Sequence, residues 1–174
     1  LQCRQKNWEQ PELIEFVGQL NALCEKYDAA LILNDVPSSE FSKFNGGAVV
    51  GVHLGRTDEA IAQARSCLGR EWVVGASCYN QTELAEQAVR EGASYVAFGA
   101  MYPSGTKPLA VRANLDLFAK ARALGVPAVA IGGITIDRVP ELMNAGAHAV
   151  AVVNGLFGME PDAAQVCSVA QQWV

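Results

Sequence analysis

Short apolar runs alternate with amphipathic stretches along this chain of 174 residues. The runs have the length of strands and show no in/out alternation, which is typical of a parallel sheet covered by helices on both faces. Seven strands are predicted, over residues 1–4, 30–33, 49–54, 72–76, 95–98, 128–131 and 149–153. Between them, apolar residues recur with the spacing of one helix face. Helices are predicted over residues 11–27, 57–68, 81–91, 113–124, 136–145 and 161–173, with a weak short one near 38–44.

The ends of these segments favour repeated β/α units. Thr82 and Asp162 stand near predicted helix starts, where their side chains can cap free N–H groups. The absence of a G-x-G-x-x-G run after an early strand favours an α/β TIM (β/α)8 barrel over an open doubly wound sheet. Such a barrel has eight strands and about 200 residues or more. We therefore expect residues 1–174 to form a single β/α barrel domain, N-terminally incomplete, with its first β/α unit missing from this sequence.

Composition narrows the function classes. The formal net charge is −5, which argues against a nucleic-acid or anionic-membrane partner, because those surfaces require a broad basic patch. No apolar run approaches the roughly 18 residues that span a bilayer. The five cysteines are scattered without a C-x-x-C pair, so neither a disulfide framework nor a zinc site is indicated. A cytoplasmic protein is the expected class.

Charged residues follow three early strands. Arg4 and Lys6 are two residues apart and project from the same side of an extended segment, where two cations would suit a diphosphate, although a solvated strand end is an equal alternative. Asp35 and Asp58 follow the next two strands. Carboxylates at one rim, together with phosphate oxygens, form the usual Mg²⁺ environment. The alternatives are a turn at Asp35 and a helix cap at Asp58.

Later strand ends are suited to neutral ligands and anions. Ser77 follows the fourth strand and could hydrogen-bond a heterocycle, while the sequence has no nucleophile elbow around it. His53 lies in an apolar strand, where a satisfied core histidine is favoured over a catalytic base. Small residues lead up to Lys107 in the 103–107 segment. Gly132-Gly133 follows the sixth strand and would adjoin Asn154, which follows the last strand. Both groups are suited to phosphate.

Six ordered motifs resemble the thiamine phosphate synthase family, a family of β/α barrels. They are Gln2-x-Arg4-x-Lys6, Asn34-Asp35, Gly51-Val-His-Leu-Gly55 with Asp58, Gly75-Ala-Ser77, Pro103-x-x-Thr106-Lys107 and Ala130-Ile-Gly-Gly-Ile134. The resemblance implies a transferase of thiamine biosynthesis that joins hydroxymethylpyrimidine diphosphate to a thiazole phosphate with Mg²⁺ and releases diphosphate. It departs from the usual family pattern at Ser104-Gly105, Arg56 and Asn154-Gly155.

The resemblance also implies roles for single residues. The diphosphate would be held by Arg4, Lys6, Asn34 and Lys107, of which Arg4, Lys6 and Lys107 are the expected catalytic groups. Mg²⁺ would be held by Asp35 and Asp58. The pyrimidine would face Gln2 and Ser77, and the thiazole phosphate would be lined by Ser104, Thr106, Gly133, Val153 and Asn154. No general base is required if the diphosphate departs first, because catalysis is then charge neutralisation and positioning.

Two alternatives remain at this point. A thiazole tautomerase-like barrel would share the thiazole phosphate pocket but would not need Arg4, Lys6, Asp35 and Asp58 as a set. A non-catalytic barrel that binds a phosphorylated ligand would keep the anion contacts and lose the metal. In each case the partners are small molecules, and a homo-oligomer is compatible with the sequence.

Overall fold

Strands and helices alternate through the computed structural model, which describes residues 1–5, 9–44, 46–103, 111–158 and 162–173. The strands are β1 (Gln2–Arg4), β2 (Leu31–Asn34), β3 (Val49–Leu54), β4 (Val73–Tyr79), β5 (Tyr95–Phe98), β6 (Ala128–Ile131) and β7 (Ala149–Ala151). The helices are α1 (Gln10–Lys26), α2 (Ile61–Leu68), α3 (Thr82–Arg90), α4 (Asp116–Ala123), α5 (Val139–Asn144), α6 (Asn154–Phe157) and α7 (Ala163–Ala170), with 3₁₀ turns at Ser38–Lys43 and Ile136–Arg138. The predicted α/β class and all seven predicted strands are confirmed.

The chain forms two compact units. The first comprises Leu1–Ser77 and Gln87–Tyr95, and the second comprises Cys78–Glu86 and Val96–Val174. In the first unit, β1 to β4 pair in parallel and in chain order. In the second, β5, β6 and β7 pair in the same way. Parallel pairing of consecutive strands requires a crossover between them, which is the role of the intervening helices.

The register of the first unit separates an apolar row from a polar row. Four residues paired across β1 to β4 are all buried: Cys3, Leu33, Val52 and Val74. The next row across the same strands consists of Arg4, Asn34, His53 and Gly75. Because successive side chains of a strand point to opposite faces, the second row lies on the face away from this apolar core. That face therefore carries the polar chemistry of the unit.

Some boundaries differ from the predicted ones. Helix α2 begins at Ile61 instead of residue 57, because residues 55–58 form a turn closed by Asp58. Strand β4 continues to Tyr79, three residues beyond its predicted end. Helix α6 was not predicted, because four residues carry no helical period. Asp162 caps α7 as predicted, since its carboxylate accepts hydrogen bonds from the N–H groups of the first turn.

The second unit has its own aromatic core. Phe98 of β5 and Phe118 of α4 are both fully buried, and their rings meet edge to face with centroids 5.9 Å apart. This geometry suits the ring quadrupoles and adds to the burial of both side chains. Across the described ranges, no helix has the length and apolarity to cross a membrane.

Candidate active site

A continuous hydrogen-bonded group lies where β1 and β2 end. Gln2 Nε2 donates to Asn34 Oδ1 at 2.5 Å, and the Asn34 amide in turn donates to Asp35 Oδ1. Arg4 Nε donates to the other carboxylate oxygen, Asp35 Oδ2, at 2.8 Å. Four of the predicted site residues are thus brought together by direct contacts. The sequence places them there because Gln2 and Arg4 share one strand face and Arg4 is paired in register with Asn34.

Asp35 is held by its backbone as well as by these partners. Its φ angle is 63°, in the left-handed region, which Asp tolerates better than most residues. Its N–H donates to the carbonyl of His53 at 3.3 Å, which ties the residue to β3. The Asp35 side chain is 15% exposed and the Arg4 side chain 47% exposed. The carboxylate is therefore sheltered, while the guanidinium remains open to an incoming anion.

Asp58 closes the loop after β3. Its Oδ2 atom accepts a hydrogen bond from the Gly55 N–H at 2.6 Å, and its own N–H donates to the Gly55 carbonyl at 3.3 Å. The alternative that Asp58 caps a helix is wrong, because the residue before α2 is Ala60. The half-buried carboxylate is instead part of a tight turn at the end of β3. Asp35 and Asp58 thus follow neighbouring strands, as the sequence predicted.

The donor set fits a hard cation with few protein ligands. Mg²⁺ is commonly held by one or two carboxylates, with phosphate oxygens and water in the remaining positions. In the described ranges, no group of three or more His, Cys, Asp and Glu side chains converges on one point. Such a cluster would suit a structural transition metal held by protein alone. Asp35, in contact with Arg4, and Asp58, in the loop after the neighbouring strand, are carboxylates of the kind that a metal–diphosphate site uses.

His53 is buried with both ring nitrogens hydrogen-bonded. Nδ1 lies 2.8 Å from the Tyr95 hydroxyl and Nε2 lies 2.9 Å from Ser77 Oγ. Burial lowers the pKa of His53 from about 6.5 to about 4; the Asp35 carboxylate opposes this shift, and the Arg4 guanidinium adds to it. The interpretation of His53 as a satisfied core histidine is confirmed. It also contacts Ser77, a predicted site residue.

The part played by Tyr95 was missed by the sequence analysis. A Cβ atom at Gly75 would lie 2.2 Å from Cζ and 2.4 Å from the hydroxyl oxygen of Tyr95. The phenol therefore occupies the space that a side chain at position 75 would need, and only there does it contact His53. The one sequence signal is a glycine two residues before Ser77 in a strand of otherwise apolar residues.

The lowered pKa of His53 predicts a pH effect on stability. Below about pH 6.5 the unfolded chain binds a proton at this residue that the folded chain does not, so the unfolding free energy should fall as the pH drops from about 6.5 towards 4. In the variant His148→Gln, which leaves a single imidazole, the ring nitrogen shifts of His53 should stay constant between pH 8 and 5.5. A midpoint near 6.5 in the folded protein would contradict the assignment.

Cys78, which follows Ser77, is not a nucleophile. The side chain is buried, and burial raises the pKa of its thiol to about 12. The thiolate is the reactive form, so this cysteine is inert at neutral pH. Ser77 contacts His53, but no carboxylate among the described residues orients that imidazole as in a hydrolytic triad. A binding role for Ser77 remains the better interpretation.

The second unit places Gly133 against a cluster of aromatic and charged side chains. The Gly133 carbonyl accepts a hydrogen bond from Arg138 Nη1 at 2.7 Å, and the Arg138 guanidinium lies 4.2 Å from the centre of the Tyr102 ring. The Tyr102 hydroxyl donates to Glu141 at 2.6 Å. Burial, followed by the contact with Glu141, raises the pKa of Tyr102 to about 12. The loop after β6 is therefore held by its own neighbours.

The remaining predicted residues lie either near α6 or outside the described ranges. Val153 is 60% exposed, and Asn154 is the first residue of α6. Lys6, Ser104, Thr106 and Lys107 lie outside the described residues. The structure thus brings Gln2, Arg4, Asn34 and Asp35 together, and it places Asp58 in the loop after β3.

Comparison with known proteins gives a consistent result. The family model described as "Thiamine monophosphate synthase" matches residues 1–156. The thiamine-phosphate synthase of Methylobacillus flagellatus is 48% identical over 157 residues, which cover 90% of this chain and 73% of that protein. The thiamine-phosphate synthase of Chromobacterium violaceum is 46% identical over 170 residues, which cover 98% of this chain and 80% of that protein.

Among solved structures, the thiamine phosphate pyrophosphorylase of Pyrococcus furiosus is similar over nearly the whole chain. The two have a TM-score of 0.78 and 27% sequence identity, and the match covers 98% of this chain and 82% of the other. The likeness extends through both compact units.

Proposed function

The chain belongs to the thiamine monophosphate synthase family, and on that premise we propose that it joins hydroxymethylpyrimidine diphosphate to a thiazole phosphate and releases diphosphate. Membership makes it a transferase of thiamine biosynthesis, as the sequence resemblance implied. What supports the reaction at the level of residues is the hydrogen-bonded group formed by Gln2, Arg4, Asn34 and Asp35. This group presents an anion-binding cation directly beside a sheltered carboxylate.

Arg4 stabilises the departing diphosphate in this proposal. Its Nε–H is used by Asp35, and within the described residues its two Nη nitrogens donate to no protein acceptor. They are thus left for phosphate oxygens, and the contact with Asp35 fixes the plane of the guanidinium. Charge that develops on the leaving group is then met by a donor already in position, which costs no reorganisation during the reaction. Lys6 and Lys107 are proposed to add two further positive charges.

Asp35 and Asp58 are proposed to hold Mg²⁺ together with the diphosphate. The metal would neutralise negative charge on the leaving group. The chain's own contribution is to orient both carboxylates, through Arg4 and Asn34 at Asp35 and through the Gly55 N–H at Asp58. Because the attacking thiazole nitrogen carries its own lone pair, the reaction needs no general base from the protein.

The pyrimidine is proposed to lie on the polar face of the first unit, and the thiazole phosphate is proposed to lie near Gly133 of the second unit. Gln2 and Ser77 face the pyrimidine, and Asn34 adds an amide to the diphosphate contacts. Gly133, Val153, Asn154, Ser104 and Thr106 are proposed to line the thiazole phosphate site. A single barrel domain over residues 1–174, a cytoplasmic location and a homo-oligomer stay predictions. The parallel strand pairs and the likeness to a solved thiamine phosphate pyrophosphorylase support the barrel.

The test of this proposal is direct product formation. The chain is incubated with both phosphorylated substrates and Mg²⁺, and thiamine phosphate and diphosphate are measured over time. Equal amounts of the two products are expected, with none when either substrate is omitted. Rearrangement of the thiazole phosphate alone would favour the tautomerase alternative. Tight binding of a phosphorylated ligand without any turnover would favour the non-catalytic one.

A further inference from the structure

A chain of three side chains links the half-buried phenol of Tyr95 to the face that carries the site. Tyr95 contacts His53 Nδ1, and His53 Nε2 contacts Ser77 Oγ, at 2.8 and 2.9 Å. The imidazole is 6% exposed, and its ring lies 5.6 Å from the phenol ring with a tilt of 31°. Both nitrogens are engaged and little space remains around the ring, so its orientation is fixed.

The partners determine which atoms carry the protons. Within the described residues, the Tyr95 hydroxyl has one hydrogen-bond partner, His53 Nδ1. A phenol is a better hydrogen-bond donor than acceptor, and Nδ1 is the acceptor within reach, so Tyr95 donates and Nδ1 accepts. An imidazole that accepts at Nδ1 carries its proton at Nε2, and Nε2–H then donates to Ser77 Oγ. The hydroxyl proton of Ser77 is left to point away from His53.

Ser77 lies on the same face as the proposed diphosphate residues. His53 is paired in register with Asn34 on one side and with Gly75 on the other. Ser77 follows Gly75 by two residues in β4, which returns it to the same face of the strand. Its hydroxyl proton is therefore available on the polar face, one strand beyond His53.

We propose that Tyr95 and His53 are positioning residues that direct the hydroxyl proton of Ser77 to a ring nitrogen of the pyrimidine substrate. The inference rests on the proposed function, because it takes the heterocycle from that reaction. A serine hydroxyl can ordinarily donate or accept, and an accepting serine would select the exocyclic amino group instead. Because Nε2–H donates to one Oγ lone pair, His53 does not use the Ser77 proton, which is then donated to a heterocycle that offers an acceptor nitrogen. The relay transfers no proton and acts only through orientation.

The first test is the tautomer itself, measured without substrate. Ring nitrogen spectra of the His148→Gln variant should show a pyridine-type Nδ1 and a pyrrole-type, protonated Nε2 at His53. In Tyr95→Phe, which keeps the ring and removes the hydroxyl, the Nε2–H form should lose its preference. A protonated Nδ1 in the parent protein would overturn the proposal. This result decides the inference whether or not the chain makes thiamine phosphate.

The second test asks whether the loss of affinity is confined to the pyrimidine substrate. Tyr95→Phe should raise the KM for the pyrimidine diphosphate about five- to tenfold, which corresponds to one hydrogen bond, and leave the KM for the thiazole phosphate within about twofold. Ser77→Ala should have a similar effect, and the double variant should be no worse than Ser77→Ala alone. The matched control is Tyr27→Phe, which removes the hydroxyl of a tyrosine that is 70% exposed and should change neither constant.

Substrate analogues can distinguish a Ser77 hydroxyl that donates to the substrate from one that only maintains the local structure. Two pyridine diphosphates, each with one pyrimidine ring nitrogen replaced by C–H, are compared with the natural substrate. The parent protein should discriminate against one of them about tenfold, and Ser77→Ala should not. Equal discrimination by both proteins, or additive losses in the double variant, would overturn the inference. An active chain with that outcome would leave the proposed function standing.

Discussion

Asp35→Asn should lower turnover by about 100- to 1,000-fold with little change in stability, because it removes a fixed charge at the point where charge develops. The amide keeps the shape of the side chain, but it cannot balance the charge of Arg4 or contribute an anionic oxygen to the proposed Mg²⁺ site. Asn also tolerates the left-handed φ angle of 63° at this position. The loss should therefore appear in kcat, measured with both substrates at saturation, while the urea midpoint stays near that of the parent protein.

Asp28→Asn is the matched control for this substitution. Asp28 also has a left-handed φ angle, 52°, and it follows α1 in an exposed position. The same chemical change there removes a carboxylate under the same backbone constraint, away from the proposed site, and turnover should remain within about twofold. Unchanged turnover in Asp35→Asn would show that the carboxylate is not needed, and full activity of the parent protein in EDTA would show that a metal is not needed.

Gly51→Ala should destabilise the protein by roughly 3 kcal/mol, the upper end of what one added methyl group costs in a packed interior. A Cβ atom at this position would lie 1.9 Å from the carbonyl oxygen of Val73, which belongs to the backbone of β4. Backbone cannot rotate aside as the end of a side chain can. Strands β3 and β4 would have to separate locally, and the register that aligns His53 with Gly75 would be disturbed.

Gly18→Ala provides the control, because nothing lies within 4 Å of a Cβ atom placed there. Gly18 is an exposed residue in the middle of α1, where Ala is better than Gly by about 0.5–1 kcal/mol. The two substitutions should therefore move the urea midpoint in opposite directions. A Gly51→Ala protein with the midpoint of its parent would mean that β3 and β4 do not approach each other as closely as described.

The strands were predictable because their signal is local. Each is a short apolar run ended by polar or turn residues, and all seven were found within a few residues of their structural bounds. Helix starts were less predictable where a side chain bonds its own loop, as Asp58 does with Gly55 in front of α2. Nothing in the spacing of residues 55–58 distinguishes that turn from a first helical turn.

The residues of the site were predictable as types but not as a network. The order of strands puts Arg4 beside Asn34 and Asp35, so their proximity follows from parallel pairing alone. The contact between Tyr95 and His53 joins residues 42 positions apart and exists only because position 75 has no side chain. A relation among three strands of that kind is set by packing, which no local pattern records.

The phenol of Tyr95 occupies the volume that a side chain at position 75 would need. The residues accepted at positions 75 and 95 should therefore depend on each other in selection experiments. A library that randomises both positions should yield folded proteins with a small residue at one position and a large residue at the other. Two large residues should be rare, because both side chains have to fit into the same space. The active clones should accept a smaller range of residues at these two positions than the folded clones do. Among combinations that fill the space, only a hydroxyl-bearing ring at position 95 would keep the donor to His53, so screens for folding and for activity on one library should yield different sequences.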